Sequence, residues 1–318
     1  MSKNYGYACI CMQLSNPQDF GGKAKDRITT NRSMIKRTFK EKGIEYASSL
    51  SLLNVLDLQK ILEWNVKHGV KFYRLSSNVF PWASEYRLDD LPDYEAIYEA
   101  CERTGNYARE HGIRLTSHPG PFNKLASPKE NVFQNTKRDL EIHGEFFDML
   151  NLPRNHYAKI NIHVGASYGD KPVALETFIR NFERLPESVT SRLTVENDDR
   201  ASLYSTVELH DGLFGRTGIP IVFDYHHHSF CTGGLTEREA LEVAISTWGD
   251  IKPVVHYSES RAEEKKDAKI RPHAHSDFVN GPVDDYGYDL DVMLELKMKE
   301  LGLFRLRELD QARKKMAS

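Results

Sequence analysis

The chain has 318 residues, 40% of them hydrophobic and 28% charged, with a formal net charge of −3. That balance fits a soluble globular enzyme, excludes a globally basic nucleic-acid binder and leaves no run near the roughly 18 apolar residues of a membrane helix. The four cysteines, Cys9, Cys11, Cys101 and Cys231, contain no C-x-x-C pair, which speaks against a disulfide framework and gives thiol zinc ligation little support.

Strand and helix patterns alternate along the chain. A first strand is expected over 5–12, followed by a loop, a basic helix and a second helix over 54–68. A second strand over 71–77 precedes helical periodicity over 92–111, which His111-Gly112 stops. The third strand ends at His118, and Pro119-Gly-Pro-Phe-Asn123 must be irregular because of its prolines. Ser127-Pro-Lys-Glu130 resembles a capped helix start, with the helix running to about Leu150. The fourth strand ends near His163, and a glycine-bearing loop leads to a helix opening near Pro172. The fifth strand ends at Glu196, the sixth at Asp224, the seventh at His256 and the eighth at Glu295. A charged stretch over 259–269 reads as an irregular insertion, and 311–318 as a tail that frays. Eight strand–helix repeats without a linker predict one (β/α)₈ TIM barrel over 1–318.

Six apolar runs therefore end in His or a carboxylate. Parallel strands bring their carboxyl ends to one rim, so residues far apart in sequence can converge there. A lone histidine at a strand end is more often structural, and Asp224 could simply cap a helix, but six such coincidences are improbable together. His118, His163, Glu196, Asp224, His227, His256 and Glu295, with one of the pair His273 and His275, supply five imidazoles and three carboxylates. That set suits Zn, Mn or Fe and is too rich in nitrogen for Mg or Ca alone. It exceeds the need of one ion, so a polynuclear centre with Glu196 as a bridge is expected. Such a centre can activate water and clamp a phosphate. His226 and His228 are expected behind the site or at the surface, and His68, His111, His143, His156 and His210 are expected to be structural. The basic segment 23–42 reads either as a solvated face or as a phosphate contact. The opening Met1-Ser-Lys-Asn-Tyr5 has no signal-peptide core, which makes the cytoplasm the expected location.

The sequence resembles the UV damage endonuclease family, related in fold to endonuclease IV. The matching stretches include Gly6-Tyr-Ala-Cys9, Arg74-Leu-Ser-Ser-Asn-Val-Phe-Pro81, Asn161-Ile-His-Val-Gly165, Tyr168-Gly-Asp-Lys171, Leu193-Thr-Val-Glu-Asn-Asp-Asp199 and His275-Ser-Asp-Phe278. The resemblance implies incision of damaged double-stranded DNA 5′ of pyrimidine dimers, 6-4 photoproducts and abasic sites, supported by two or three divalent ions, manganese first. It implies His275 rather than His273 as the eighth metal ligand, Glu196 and Lys171 as catalytic residues, and Tyr7, Phe122 and Lys171 as DNA contacts, with the damaged nucleotides extruded from the stack. No membrane and no obligate protein partner are implied. The family's Gln-Tyr wedge is replaced by Pro121-Phe122, an asparagine by Cys11, and a carboxylatable lysine by Val254, which favours two ions over three. Two other readings remain: a metal-dependent sugar isomerase or epimerase on the same barrel, and a non-catalytic, metal-stabilised DNA-binding protein.

Overall fold

A computed structural model of the chain describes residues 4–317. Eight parallel strands form one sheet in the order β3-β2-β1-β8-β7-β6-β5-β4. They are β1 (Asn4–Ala8), β2 (Phe72–Arg74), β3 (Arg114–Thr116), β4 (Ile160–Ile162), β5 (Leu193–Glu196), β6 (Ile221–Asp224), β7 (Val254–Tyr257) and β8 (Asp291–Leu294). A bridge between Ser117 and Ile160 joins β3 to β4 and nearly closes the barrel. The main outer helices are α1 (Lys36–Lys67), α2 (Tyr94–Glu110), α3 (Glu130–Met149), α4 (Lys171–Phe182), α5 (Glu237–Ser246) and α6 (Lys299–Ala317). This is the TIM barrel that the alternation of elements predicts. Among the described residues, no helix is long and apolar enough to cross a membrane.

Alternation along each strand sorts side chains into two shells. Outward residues such as Leu115, Ile160, Leu193, Phe223, Val255 and Leu294 are buried against the helices. Inside, Ala8, Phe72, Val222, Val254 and Met293 form an apolar plug with Trp248. Gly6 is required by close approach, because a Cβ there would lie 2.6 Å from the Phe72 carbonyl oxygen of the neighbouring strand.

Some boundaries differ from expectation. β1 stops at Ala8 because Cys9 adopts a left-handed φ of 68° and the next turn is pinned from α6. There the buried Glu300 carboxylate accepts from the backbone N–H groups of Met12 and Gln13, each at 2.8 Å. The two helices expected before β2 lie in the single span α1, broken at Gly43 (φ 67°, ψ −161°), and the second part starts well before residue 54. Its buried face carries Ser48, Ser51 and Asn54, and these polar residues mask the helical period in the sequence. The structure satisfies them: Ser48 Oγ donates to Asp93 at 2.8 Å, and Asn54 Nδ2 donates to the Val79 carbonyl at 3.0 Å. The stretch 259–269, expected to be irregular, contains a short helix, Arg261–Lys265. The segment expected to fray is helical as far as Ala317, and Ser318 lies outside the described residues.

Candidate metal centre

All eight expected donors meet at the carboxyl end of the barrel. His118 and His163 follow β3 and β4, Glu196 and Asp224 end β5 and β6, His256 lies within β7, and Glu295 directly follows β8. His227 arrives from the short helix Tyr225–His228, which Asp224 caps by accepting from His227 N–H at 2.8 Å. His275 comes from the long segment after β7, tied back by a bridge to Ser260.

Glu196, wholly buried, is the hub. Its Oε1 lies 3.3 Å from His227 Nδ1, and its Oε2 lies 3.2 Å from His118 Nε2, 3.0 Å from His256 Nδ1 and 4.0 Å from His163 Nε2. The Glu295 carboxylate lies 3.2 Å from His256 Nδ1 and 3.6 Å from His275 Nε2. Three groups have donor atoms close enough to hold an ion: His118–His163–Glu196, Glu196–Asp224–His227 and His118–His256–Glu295. Buried Glu196 Oε1, Asp224 Oδ2, His163 Nδ1 and His256 Nδ1 have no partner of hydrogen-bond geometry among the described residues. Buried polar atoms left this way are costly unless something else satisfies them. Of these, Glu196 Oε1, Asp224 Oδ2 and His256 Nδ1 lie among the donors, and orphaned oxygens and nitrogens together there fit divalent ions bound by mixed ligands.

Surrounding residues orient the rings. His118 Nδ1 lies 3.1 Å from the Pro119 carbonyl, His227 Nδ1 2.9 Å from the Asn197 carbonyl, His275 Nδ1 2.7 Å from Ser258 Oγ, and His163 Nδ1 3.2 Å from Asp198 Oδ1. For His118, His163 and His275 this turns Nε2 toward the carboxylates, the usual way of fixing a ligand's tautomer, whereas His227 Nδ1 also lies beside Glu196. His256 is reversed: Nδ1 faces the carboxylates, and Nε2 lies 3.2 Å from Lys159 Nζ. Asn161 donates to Glu196 Oε2 and accepts from Thr194 Oγ1 at 2.8 Å, which holds the carboxylate in place. Arg74 pairs with Glu295.

Sequence reasoning passed over Arg74, Lys159, Asn161 and Asp198. A signal existed for two of them. Lys159, Asn161 and His163 share one face of an alternating strand, and a buried lysine inside an apolar run is rare unless paired.

The electrostatics are those of a cation site. Burial alone would raise the Glu196 carboxyl, but His256 and His163 hold it well below the ordinary carboxylate range. Asp224 goes the other way: burial pushes it up to about 7, against the pull of His227. Burial disfavours protonation of His163, yet Glu196 and Asp198 outweigh it and raise that ring to about 9. Burial, helped by Lys159, lowers His256 to about 4. Lys159 is itself lowered by burial to about 7. Opposed shifts within one cluster of contacting groups are characteristic of functional sites.

Above the donors opens a cavity of about 560 Å³, lined by Arg74, His118, His163, His227, Lys124 and Arg200 among others. A sequence model of the UV-endonuclease UvdE family matches residues 3–317.

The chain belongs to the UV-endonuclease UvdE family.

The UV-damage endonuclease of Neurospora crassa is 35% identical over 95% of this chain, and the UV DNA damage endonuclease of Bacillus cereus (strain G9842) is 34% identical over 96%. The chain spans half the length (50%) of the Neurospora protein and 94% of the Bacillus one. The crystal structure of SacUVDE superposes with a TM-score of 0.80 at 28% identity, covering 98% of this chain and 99% of that one. Endonuclease IV from Thermus thermophilus (TM-score 0.55, 15% identity, 97% and 99% covered) shares the fold. So does a D-tagatose 3-epimerase-like protein (TM-score 0.56, 13% identity, 80% and 92% covered).

In this UvdE-family chain, the residues expected to touch DNA are not all at the open face. Phe122 is 87% exposed on the loop beside the cavity, where its neighbours Pro121 and Asn123 line the wall. Tyr7 is fully buried, contrary to expectation. It points outward from β1, packs edge-on against Tyr73 and donates to Asn65 Oδ1 of α1 at 2.7 Å. Lys171 does not line the cavity floor. Its Nζ pairs with Glu208 at 2.7 Å and donates to the Ala201 carbonyl at 3.1 Å. The substituted position Val254 sits in the apolar plug, and Lys252 is at the opposite end of the barrel, where it pairs with Asp289 and Asp291. His226 and His228 are buried behind the centre, with the His226 ring 5.6 Å from that of His275. Of the basic segment, Lys23, Lys25, Arg27, Lys36, Arg37, Lys40 and Lys42 are exposed, whereas Arg32 is held by Asp57 at 2.5 Å. The loop that begins this segment leaves the carboxyl end of β1, so it emerges on the same face as the donors.

Proposed function

We propose that this chain is a DNA repair endonuclease that hydrolyses the phosphodiester bond immediately 5′ of UV lesions. Pyrimidine dimers, 6-4 photoproducts and abasic sites are its substrates in duplex DNA, and the product is a 3′ hydroxyl. The observation that carries this reading is the convergence of eight donors beneath an open cavity, in a chain that belongs to the UvdE family. Bound divalent ions, two or three in number and manganese first, supply a nucleophile at neutral pH and neutralise charge on the phosphate. Zinc and iron also suit the donor set.

The chain's own groups do the rest. Glu196 presents its two oxygens to different histidines, the arrangement of a bridging carboxylate. Asn161 keeps that carboxylate from rotating. Asp224, held by Asn197 through hydrogen bonds of 2.8 and 3.0 Å, faces the same centre and would give its carboxylate to a bound ion. Lys124 and Arg200 at the cavity wall offer charge to the flanking phosphates. Phe122 offers a stacking face to the gap left by extruded bases. Lys171 can contribute only by leaving Glu208, so its role is a phosphate contact at the rim. Tyr7 supports β1 from behind.

The test is incision of a duplex oligonucleotide carrying one cyclobutane dimer, with manganese and after chelation. Cutting 5′ of the dimer that disappears with chelator and in Glu196→Gln supports the proposal. Uncut DNA together with manganese-dependent interconversion of ketoses would move the assignment to a sugar epimerase.

A further inference from the structure

The three ion-holding groups differ in what lies behind them. The groups His118–His163–Glu196 and Glu196–Asp224–His227 are backed by acceptors, since the outward nitrogens of His118 and His163 face the Pro119 carbonyl and the Asp198 carboxylate, and His227 Nδ1 lies beside the Asn197 carbonyl. The His118–His256–Glu295 corner is backed by basic side chains. The Arg74 guanidinium grips Glu295 on Oε1, the oxygen that also lies 3.2 Å from His256 Nδ1. Lys159, wholly buried, places Nζ 3.2 Å from His256 Nε2, where the other four rings find an oxygen. Arginine is permanently charged, and neither a guanidinium nor an ammonium can accept a hydrogen bond. An ion entering this corner must share Glu295 with a fixed positive charge in a buried setting, where repulsion is weakly screened.

We infer that Arg74, a fixed cation on Glu295, and Lys159, an amine standing where the other rings find an acceptor, make the His118–His256–Glu295 corner the last to fill and the weakest of the three ion sites. Arg74 stands in for an ion at Glu295 and keeps that carboxylate neutralised next to Glu196. The two remaining groups, which share Glu196, form the tightly held pair. The inference rests on the metal reading given under Proposed function and concerns positioning residues, since neither side chain is assigned contact with the reacting atoms.

Equilibrium dialysis of the full chain against increasing Mn²⁺, with bound metal counted by mass spectrometry, tests it without reference to activity. The wild-type isotherm is expected to show two tight ions and one weaker one. In Arg74→Met, and separately in Lys159→Met, the weak class tightens by roughly tenfold or more while the tight class is unchanged. Adding Glu295→Gln to Arg74→Met removes the weak class alone. If Arg74→Met fails to give a cooperative melt, because Glu295 is left buried without a counter-charge, Lys159→Met carries the same comparison. Variant isotherms that superpose on the wild type, or three equivalent ions in the wild type, overturn the inference and leave the metal centre standing. A wild-type chain that takes up no ion overturns the metal reading itself.

Discussion

At the amino end of the barrel, Arg114 is 1% exposed, yet all its nitrogens are satisfied. They donate to the carbonyls of Tyr157 (2.8 Å), Lys252 (2.8 Å) and His156 (3.1 Å) and to Asp291 Oδ2 (2.9 Å). Asp291 Oδ1 in turn accepts from Asn4 (2.9 Å) and lies 3.1 Å from Lys252 Nζ. At the carboxyl end, Glu196 and Asp224 are just as deeply buried, yet each has an oxygen with no hydrogen-bond partner among the described residues. The apolar plug of Phe72, Val222, Val254 and Met293 separates the two ends. Buried charge that is fully paired serves the fold, whereas buried charge left open toward a cavity is held ready for something that binds.

Mutation should separate the two ends. Glu196→Gln is expected to reduce lesion incision by about 10⁴-fold or more while leaving the unfolding midpoint of the metal-free protein near that of the wild type. Single-turnover cleavage and thermal melts read the two effects. Arg114→Met should do the reverse. Taking the buried guanidinium away from Asp291 and from three backbone carbonyls costs about 3–5 kcal/mol in urea unfolding, with incision retained at a permissive temperature. Equal loss of activity in both variants would erase the distinction between the ends.

Metal and pH sharpen the comparison further. At a concentration about 100 times its dissociation constant, an ion that binds only the folded chain adds about 2.7 kcal/mol of stability, visible as a higher melting point than in chelator. Metal uptake should tighten as pH rises, because ligation needs Asp224 (about 7) and His163 (about 9) without their protons. Calorimetry in two buffers of different ionisation enthalpy should register proton release near pH 7. In the metal-free protein the raised Asp224 has the opposite sign: its contribution is full below the ordinary aspartate range and is lost as pH rises through about 7. The smallest effect on stability belongs to Phe122→Ala. This exposed side chain should change unfolding by no more than about 0.5 kcal/mol, yet lower the preference for damaged over undamaged duplex in a competition assay.

The contrast between the ends also explains what the sequence discloses. The carboxyl-end ligands were legible because each strand is a short apolar run whose last residue is polar, and strand ends of a parallel barrel converge whatever their spacing. Arg74, Lys159 and Asn161 escaped notice because they lie within or beside strands, where a polar residue normally argues against burial and only the register reveals that it points inward. Tyr7 shows the limit of resemblance. Its position matches, but whether β1 turns that ring inward or outward depends on Asn65 and Tyr73, which come from α1 and β2. The early start of α1 was hidden for a related reason, since Ser48, Ser51 and Asn54 become buried only through partners far along the chain.

The most direct test of the metal centre as a damage-directed nuclease is nicking of supercoiled plasmid, UV-irradiated or untreated, with manganese or with chelator. Conversion of the irradiated plasmid alone, and only with manganese, is the predicted result. Equal nicking of both plasmids, or nicking that persists in chelator, would contradict it.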